Sequence, residues 1–260
     1  MHLLRLYGAL VSMSLRRQLS FRTDLAFEVI ATVATVASSA AAVLVLFTRV
    51  DTIGGFSPAA AILLLGTFHI VTGLRRALVE PNLRFIAGDV GDGSFDEQLL
   101  QPAPILFLVS LGGVAPLALS QTLIGIVAAV LGVSRLDRAP SVPLIGCWLL
   151  MIISAAVIMW ATRCLIAATV FFSLGLTLDV AYDAVWQTAP YPTTIFARPV
   201  RFVLTYLLPV AFLATVPAAV LAGTLSPWWT LTGPAVAVIS SAAAVSIWRV
   251  GLSRYTSATS

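Results

Sequence analysis

Long apolar runs separated by short polar breaks dominate the chain. They cover about 25–48, 57–74, 105–132 and 228–248. Each is close to or above the ~20 residues that an α-helix needs to cross a hydrocarbon core of ~30 Å. The apolar stretch 142–187 is too long for one crossing, since at ~1.5 Å per residue it would make a helix of ~69 Å. Arg163, near its middle, divides it into spans at about 142–161 and 164–187, with the arginine in the turn and its head at the membrane surface. Gly54-Gly55 breaks the chain before the second run. Ser57-Pro58 opens that run as a capping residue followed by a proline at the first helical position. Trp228, Trp229 and Trp248 bracket the last run, as expected of interfacial anchors.

Between the fifth and last runs the chain is rich in proline, with Pro190, Pro192, Pro199, Pro209, Pro217 and Pro227. The apolar pieces among them read either as one kinked span or as two half-helices that enter and leave on the same side. Broken helices at membrane depth require protein or a water-filled cavity to satisfy their backbone. At the other end, Leu3, Leu6, Leu10, Met13 and Arg17 recur at spacings of three and four, which predicts an amphipathic interfacial helix over 1–22. The small residues from Ala37 to Ala42 permit close helix packing.

Composition agrees with this pattern. Only 10% of the 260 residues are charged and 59% are hydrophobic, with a mean hydropathy of +1.00. Soluble domains carry ~25% charged residues. The fold class is therefore all-α: a polytopic membrane protein with six spans and a single transmembrane domain over 23–260. The net charge of +4 comes from arginine alone. In a membrane protein such an excess points to loop orientation and lipid, not to nucleic acid. With the N-terminus in the cytoplasm and 194–221 returning to the side it came from, ten arginines fall on the cytoplasmic side and five opposite. Both termini are then cytoplasmic.

Candidate chemistry is sparse. Cys147 and Cys164 lie in apolar runs and His2 is far from His69, so no metal site is predicted. No GxxxxGK[ST] phosphate loop and no nucleophile–base arrangement is present, so the chain is not expected to be an enzyme. Asp179 and Asp183, four residues apart, share a helix face. They read either as lining at the outer mouth of a substrate path or as interface carboxylates paired with Arg198 or Arg201. His69, beside Thr67 and Thr72, reads as a hydrogen-bonded core histidine or as part of a path.

The one sizeable polar stretch is 75–104. Ser94 is placed to cap a short helix beginning at Phe95, with Asp96 and Glu97 in its first turn. Phe95, Leu99 and Leu100 give an apolar edge. Gly91 and Gly93 allow a sharp approach, and Pro102 and Pro104 end the segment. Its acids (Glu80, Asp89, Asp92, Asp96, Glu97) outnumber Arg75, Arg76 and Arg84, which favours a protein partner over bare lipid.

Three motifs carry a family resemblance. Tyr7 and the run Arg16 to Asp24 (RRQLSFRTD) look like an interfacial helix leading into a first span. Gly93 to Pro102 (GSFDEQLLQP) resembles a loop of the form G-x-[LF]-D-x-x-L-L-x-P. Tyr191 to Pro217 (YPTTIFARPVRFVLTYLLPVAFLATVP) resembles a proline-punctuated stretch before a last span. Together they resemble the permease subunits of ABC-2-type ATP-binding-cassette exporters, in the branch of about 260 residues encoded with a second permease and an ATPase. The resemblance implies six spans and a re-entrant hairpin at about 194–221 carrying Pro192, Arg198, Arg201, Pro209 and Pro217. It implies a cytoplasmic coupling segment over 75–104 with Gly93, Phe95, Asp96, Leu99, Leu100 and Pro102 toward an ATPase. The implied partners are an ABC ATPase dimer that holds ATP and Mg, a second permease, identical or related, and membrane lipid. The implied location is the bacterial cytoplasmic (inner) membrane. Gln101 departs from the family's usual arginine. The rival readings are an ion-coupled secondary transporter, which predicts activity without an ATPase, and a membrane assembly protein without substrate turnover.

Overall fold

Apolar side chains along most of the length leave helices as the dominant way to satisfy the backbone in a bilayer. The computed structural model describes residues 22–173 and 178–255 together with Gly8 and Ser12. The interfacial helix expected over 1–22 lies largely outside the described residues. Among them, five helices are long and apolar enough to cross a membrane: Val29–Phe47, Pro58–Asp92, Pro116–Ser134, Val142–Phe171 and Pro227–Arg254. The chain is an all-α polytopic membrane protein.

Helix α1 (Arg22–Phe47) leads through a tight turn closed by reciprocal Ile53–Phe56 hydrogen bonds into α2 (Pro58–Leu74). Ser57 caps α2 by accepting from the Ala60 N–H. The second helix does not stop at Leu74, where the sequence places the start of a polar loop. It widens into a π-turn, Arg75–Val79, and continues as α3 (Glu80–Leu83). The cause of the irregularity is Pro81, which has no N–H to offer the Ala77 carbonyl four residues back. Ala115 N–H fills that carbonyl instead, at 2.8 Å.

Most of 86–99 is also helical, as α4 (Ile86–Asp92) and α5 (Ser94–Leu99). Gly93 joins them with φ of 84°, a left-handed conformation that suits glycine. Ser94 does not cap α5. Its own N–H is taken by Asp92 Oδ1 at 3.0 Å, and Gly93 occupies the cap position.

The third run is broken, in place of the single span that its length predicts. Helix α6 (Ile105–Leu111) ends at Gly112-Gly113, a 3-10 turn spans Pro116–Ala118, and α7 (Leu119–Ser134) follows. The exposed backbone at this break is satisfied by Asn82. Its amide donates to Gly113 O at 2.8 Å and accepts from Gly113 N–H at 2.5 Å.

The expected division of 142–187 is not present. Helix α8 (Val142–Ala168) runs unbroken through Arg163 and extends as a 3-10 turn to Phe171. Residues 160–164 (Trp-Ala-Thr-Arg-Cys) contain no helix breaker. Arg163 is buried within the last two turns of α8 and does not reach for the surface. After it come α9 (Asp179–Trp186), α10 (Arg198–Phe202), a π-turn over Val203–Leu207, α11 (Thr215–Leu221) and α12 (Thr232–Arg254).

Two contacts organise the packing. Antiparallel α2 and α7 meet backbone to backbone, because each carries glycines seven residues apart: Gly66 and Gly73 lie against Ala129 and Thr122, and Gly125 and Gly132 against Ile70 and Leu63. A Cβ on Gly125 would lie 2.5 Å from Ile70 N, and one on Gly132 2.5 Å from Leu63 N. Helix α8 packs on α12 and α11, forming the core with α2. Helix α1 stays at the margin: Thr32, Val36 and Val43 are buried, while Ala37, Ser38, Ala41 and Ala42 are exposed, so the small residues of this helix are not a packing seam within the chain. Trp248 is no interfacial anchor. It is fully buried, edge-on to Phe171 with centroids 5.1 Å apart, while Trp228 is exposed.

Candidate functional site: a buried arginine–carboxylate junction

The π-turn after α2 decides where Arg75 points. A π-turn bonds residue i to i+5, and here Glu80 N–H bonds Arg75 O. Arg75 Nη2 and Glu80 Oε1 meet at 2.9 Å. Arg75 Nη1 also donates to Asp183 Oδ1, at 3.4 Å. One buried guanidinium is thus shared between a carboxylate at the head of 75–104 and one on α9.

Helix α9 is built to receive it. Asp179, Tyr182, Asp183 and Trp186 fall at i, i+3, i+4 and i+7, one face of a helix. The Arg75 guanidinium carbon sits 4.1 Å from the Trp186 ring centroid and 5.6 Å from that of Tyr182. Arg163, from α8, pairs with Asp179 and lies 5.5 Å from the Tyr182 ring. Two arginines, three carboxylates and two aromatic rings from α2–α3, α8 and α9 therefore form one cluster. Guanidinium over an aromatic face is worth ~2 kcal/mol when desolvated. Removing one member of a buried pair is costly because the other is left uncompensated.

Of the two sequence readings of Asp179 and Asp183, one pairs them with Arg198 or Arg201; in the structure they pair instead with Arg163 and Arg75. Arg198, exposed at the start of α10, and Arg201 lie elsewhere. Arg201 donates to Thr194 O and Phe196 O and braces the turn before α10. Pro192, Pro209 and Pro217 are buried, Pro217 inside α11. Sequence reasoning finds the two aspartates but misses Tyr182 and Trp186, although the helical spacing of the four residues is plain. Arg75 and Glu80 read as loop residues in the sequence, because the wide turn needs the Ala115–Ala77 bond across the bundle as well as Pro81.

A second polar chain runs alongside. Gln121 on α7 accepts from Arg76 Nη1 at 3.2 Å, and its Nε2 lies 3.1 Å from His69 Nδ1. His69 is thus a buried, hydrogen-bonded residue of the α2–α7 seam.

The predicted edge of α5 divides. Phe95 is 0% exposed, against Phe171 and Tyr255 at centroid distances of 5.5 and 5.4 Å. It faces the chain's own helices, not a partner. Asp96 Oδ1 accepts from the Tyr255 hydroxyl at 3.0 Å, which ties α5 to the end of α12. Leu100, 86% exposed, remains open together with Leu99, as does Pro102. Among the described residues no group of three or more His, Cys, Asp or Glu is placed to hold a metal ion.

Comparison with known proteins returns one finding. The family model described as "ABC-2 family transporter protein" matches residues 33–259. No curated protein and no solved structure matches the chain.

Proposed function

We propose, from the premise that the chain belongs to the ABC-2 transporter family, that it is the permease subunit of an ATP-driven exporter. The chain carries no phosphate loop, so ATP and Mg would be held by an ABC ATPase dimer on the cytoplasmic side. A second permease, identical or related, would complete the path, which takes a hydrophobic or amphipathic substrate.

The observation that carries this reading is the Arg75 junction. Residues 75–100 form a nearly continuous helical arm beginning at Arg75. The same arginine grips α9, whose chain leads into 194–221. A push on Leu99 and Leu100 would pass through the arm to Arg75, then to Asp183 and α9. ATP-driven access requires two states that bind the substrate differently, and a guanidinium shared between two carboxylates is a suitable element to re-pair between them.

In the topology we propose, 178–193 is a sixth, shorter crossing and 194–221 is the re-entrant hairpin. Supporting this, Thr194 donates to Gly54 O in the α1–α2 turn. Ala222 and Thr224 line a recess with Thr52, Pro58 and Arg138 at that same end. Between them, Leu207 and Leu208 line a cavity together with Ile158 and Ile166 of α8, deeper in the bundle. Arg75, Arg84, Arg249 and Arg254 belong to the opposite end, which supports assigning that end to the cytoplasm by the positive-inside rule, in the inner membrane.

The test is purification of the tagged chain from its native host, with mass spectrometry of what accompanies it. A stoichiometric phosphate-loop ATPase, lost in Leu99→Glu/Leu100→Glu, supports the proposal. A chain that purifies intact but alone, under conditions where a control transporter stays assembled, overturns it. Labelling of Thr194→Cys and Thr224→Cys from the outside only would support the hairpin. Labelling from opposite sides would replace it with a full crossing.

A further inference from the structure

The recess beside the α1–α2 turn has a volume of about 590 Å³. Three of its lining residues, Arg135, Asp137 and Arg138, come from the loop between α7 and α8, and all three are exposed. Neither guanidinium has a hydrogen-bond or ion-pair partner among the described residues, and Asp137 pairs with neither. Arg75 and Arg163 at the other end are, by contrast, fully engaged with carboxylates. Two guanidiniums against one carboxylate leave the recess with one net positive charge. The first turn of α2 forms another part of the wall, which brings the positive end of a 17-residue helix to the same space. Ser57, also in the lining, accepts from the Ala60 N–H and keeps its own hydroxyl proton to donate. The remaining wall is apolar. Leu44 belongs to it and is 49% exposed on the marginal helix α1, so this side of the recess adjoins the acyl chains of the bilayer.

We propose that this recess binds an anionic membrane lipid, with its phosphodiester on Arg135 and Arg138 and one acyl chain along Leu44. Guanidinium forks match phosphate oxygens in geometry as well as charge. Basic residues grouped at the end of membrane helices attract anionic headgroups. The single net charge suits a phosphodiester, which carries one negative charge. A cation would meet two guanidiniums for one carboxylate. A zwitterionic headgroup would bring its own cation to the same place. The apolar wall on α1 favours a molecule with a hydrocarbon chain over a free anion. The leaflet rests on the proposed topology, which places this end of the bundle outside. The site itself rests on neither the ATPase nor the transported compound, so its failure would leave the permease reading standing, and the reverse also holds.

The experiment uses the full chain in phosphatidylcholine nanodiscs with a minor share of phosphatidylglycerol that carries a diazirine near the glycerol end of one acyl chain. Labelled peptides are located by mass spectrometry. Label is expected on 44–62 and 135–138. Unlabelled phosphatidylglycerol should displace it, and added phosphatidylcholine should not. Arg138→Gln should weaken labelling roughly fivefold, the factor that one basic residue contributes at an anionic membrane surface, and Arg135→Gln/Arg138→Gln roughly 25-fold. Asp137→Asn, which deletes the opposing charge, should strengthen it. Arg198→Gln removes an exposed arginine outside the recess and should leave it unchanged. Label spread evenly over the exposed faces of α1 and α12, equal displacement by the two lipids, an unchanged Arg135→Gln/Arg138→Gln variant, or an Arg198→Gln loss equal to that of Arg138→Gln overturns the proposal. Inorganic phosphate separates the sources. Displacement by phosphate alone overturns the lipid assignment and gives the site to a free anion, whereas label that survives it supports the lipid.

Discussion

Gly125→Ala adds one methyl group to a membrane helix, and its effect can be worked from the seam it faces. The new Cβ would stand 2.5 Å from Ile70 N and 2.9 Å from both Gly66 O and His69 C. All three are backbone atoms of α2, so no rotamer change relieves the clash. Ordinary contact requires α2 and α7 to part by about 1 Å, a gap that forfeits a quarter to a half of each dispersion contact. For a seam of on the order of 30 atom pairs at ~0.15 kcal/mol each, the loss is about 1.5 kcal/mol. Stretching the 3.1 Å Gln121–His69 contact costs about 1 kcal/mol more. Alanine returns about 1 kcal/mol of helix propensity over glycine. The net destabilisation is about 1.5 kcal/mol, or roughly 3–6 °C in Tm for a chain of this size. Gly146, in α8, faces open space: a Cβ there would meet nothing within 4 Å, so Gly146→Ala should hold or raise Tm. Thermal unfolding of both variants in one detergent is the assay. Equal Tm values, or Gly125→Ala the more stable, would refute the backbone-contact account of the seam.

Four further outcomes follow from the same geometry. Arg163→Ala should lower stability by about 2–3 kcal/mol by stranding Asp179, and the swap Arg163→Asp/Asp179→Arg should recover part of that loss in a double-mutant cycle. Phe95→Ala should cost about 3 kcal/mol from an intramolecular core. Leu100→Glu should leave Tm unchanged and act only on ATPase co-purification. Asn82→Ala should speed hydrogen exchange at 112–115 by more than tenfold while 119–134 stays protected, since ~1.4 kcal/mol of local opening already gives a factor of ten.

The apolar runs make the helices legible, because length and hydropathy alone decide what a bilayer accepts. The breaks are less legible. An arginine in an apolar run means either a turn or a buried pair, and only the position of Asp179, sixteen residues on, separates the two for Arg163. Gly112-Gly113 and Pro116 are visible breakers in the third run, but the polar group that makes a break tolerable, Asn82, lies thirty residues earlier. The seven-residue glycine spacings of α2 and α7 are readable as a seam, whereas the small residues of α1 draw attention and prove exposed. At the junction, Asp179 and Asp183 are legible as a face. Arg75 is not, since a π-turn arises from the missing N–H of Pro81 together with the acceptor's new partner across the bundle. Phe95 shows the limit of pattern: an apolar edge on a short helix does not say whether it faces inward or outward.

The bond from Ala115 N–H to Ala77 O bears on how the chain enters the membrane. When the second helix emerges during synthesis, Pro81 leaves the Ala77 carbonyl without a helical partner, and only water can serve it. That end of the helix is therefore held at the aqueous boundary until residues 112–118 have been made. Their arrival supplies the missing donor, and Asn82 closes the matching gap at Gly113 in the same act. The second and third helices thus complete each other's backbone only as a pair.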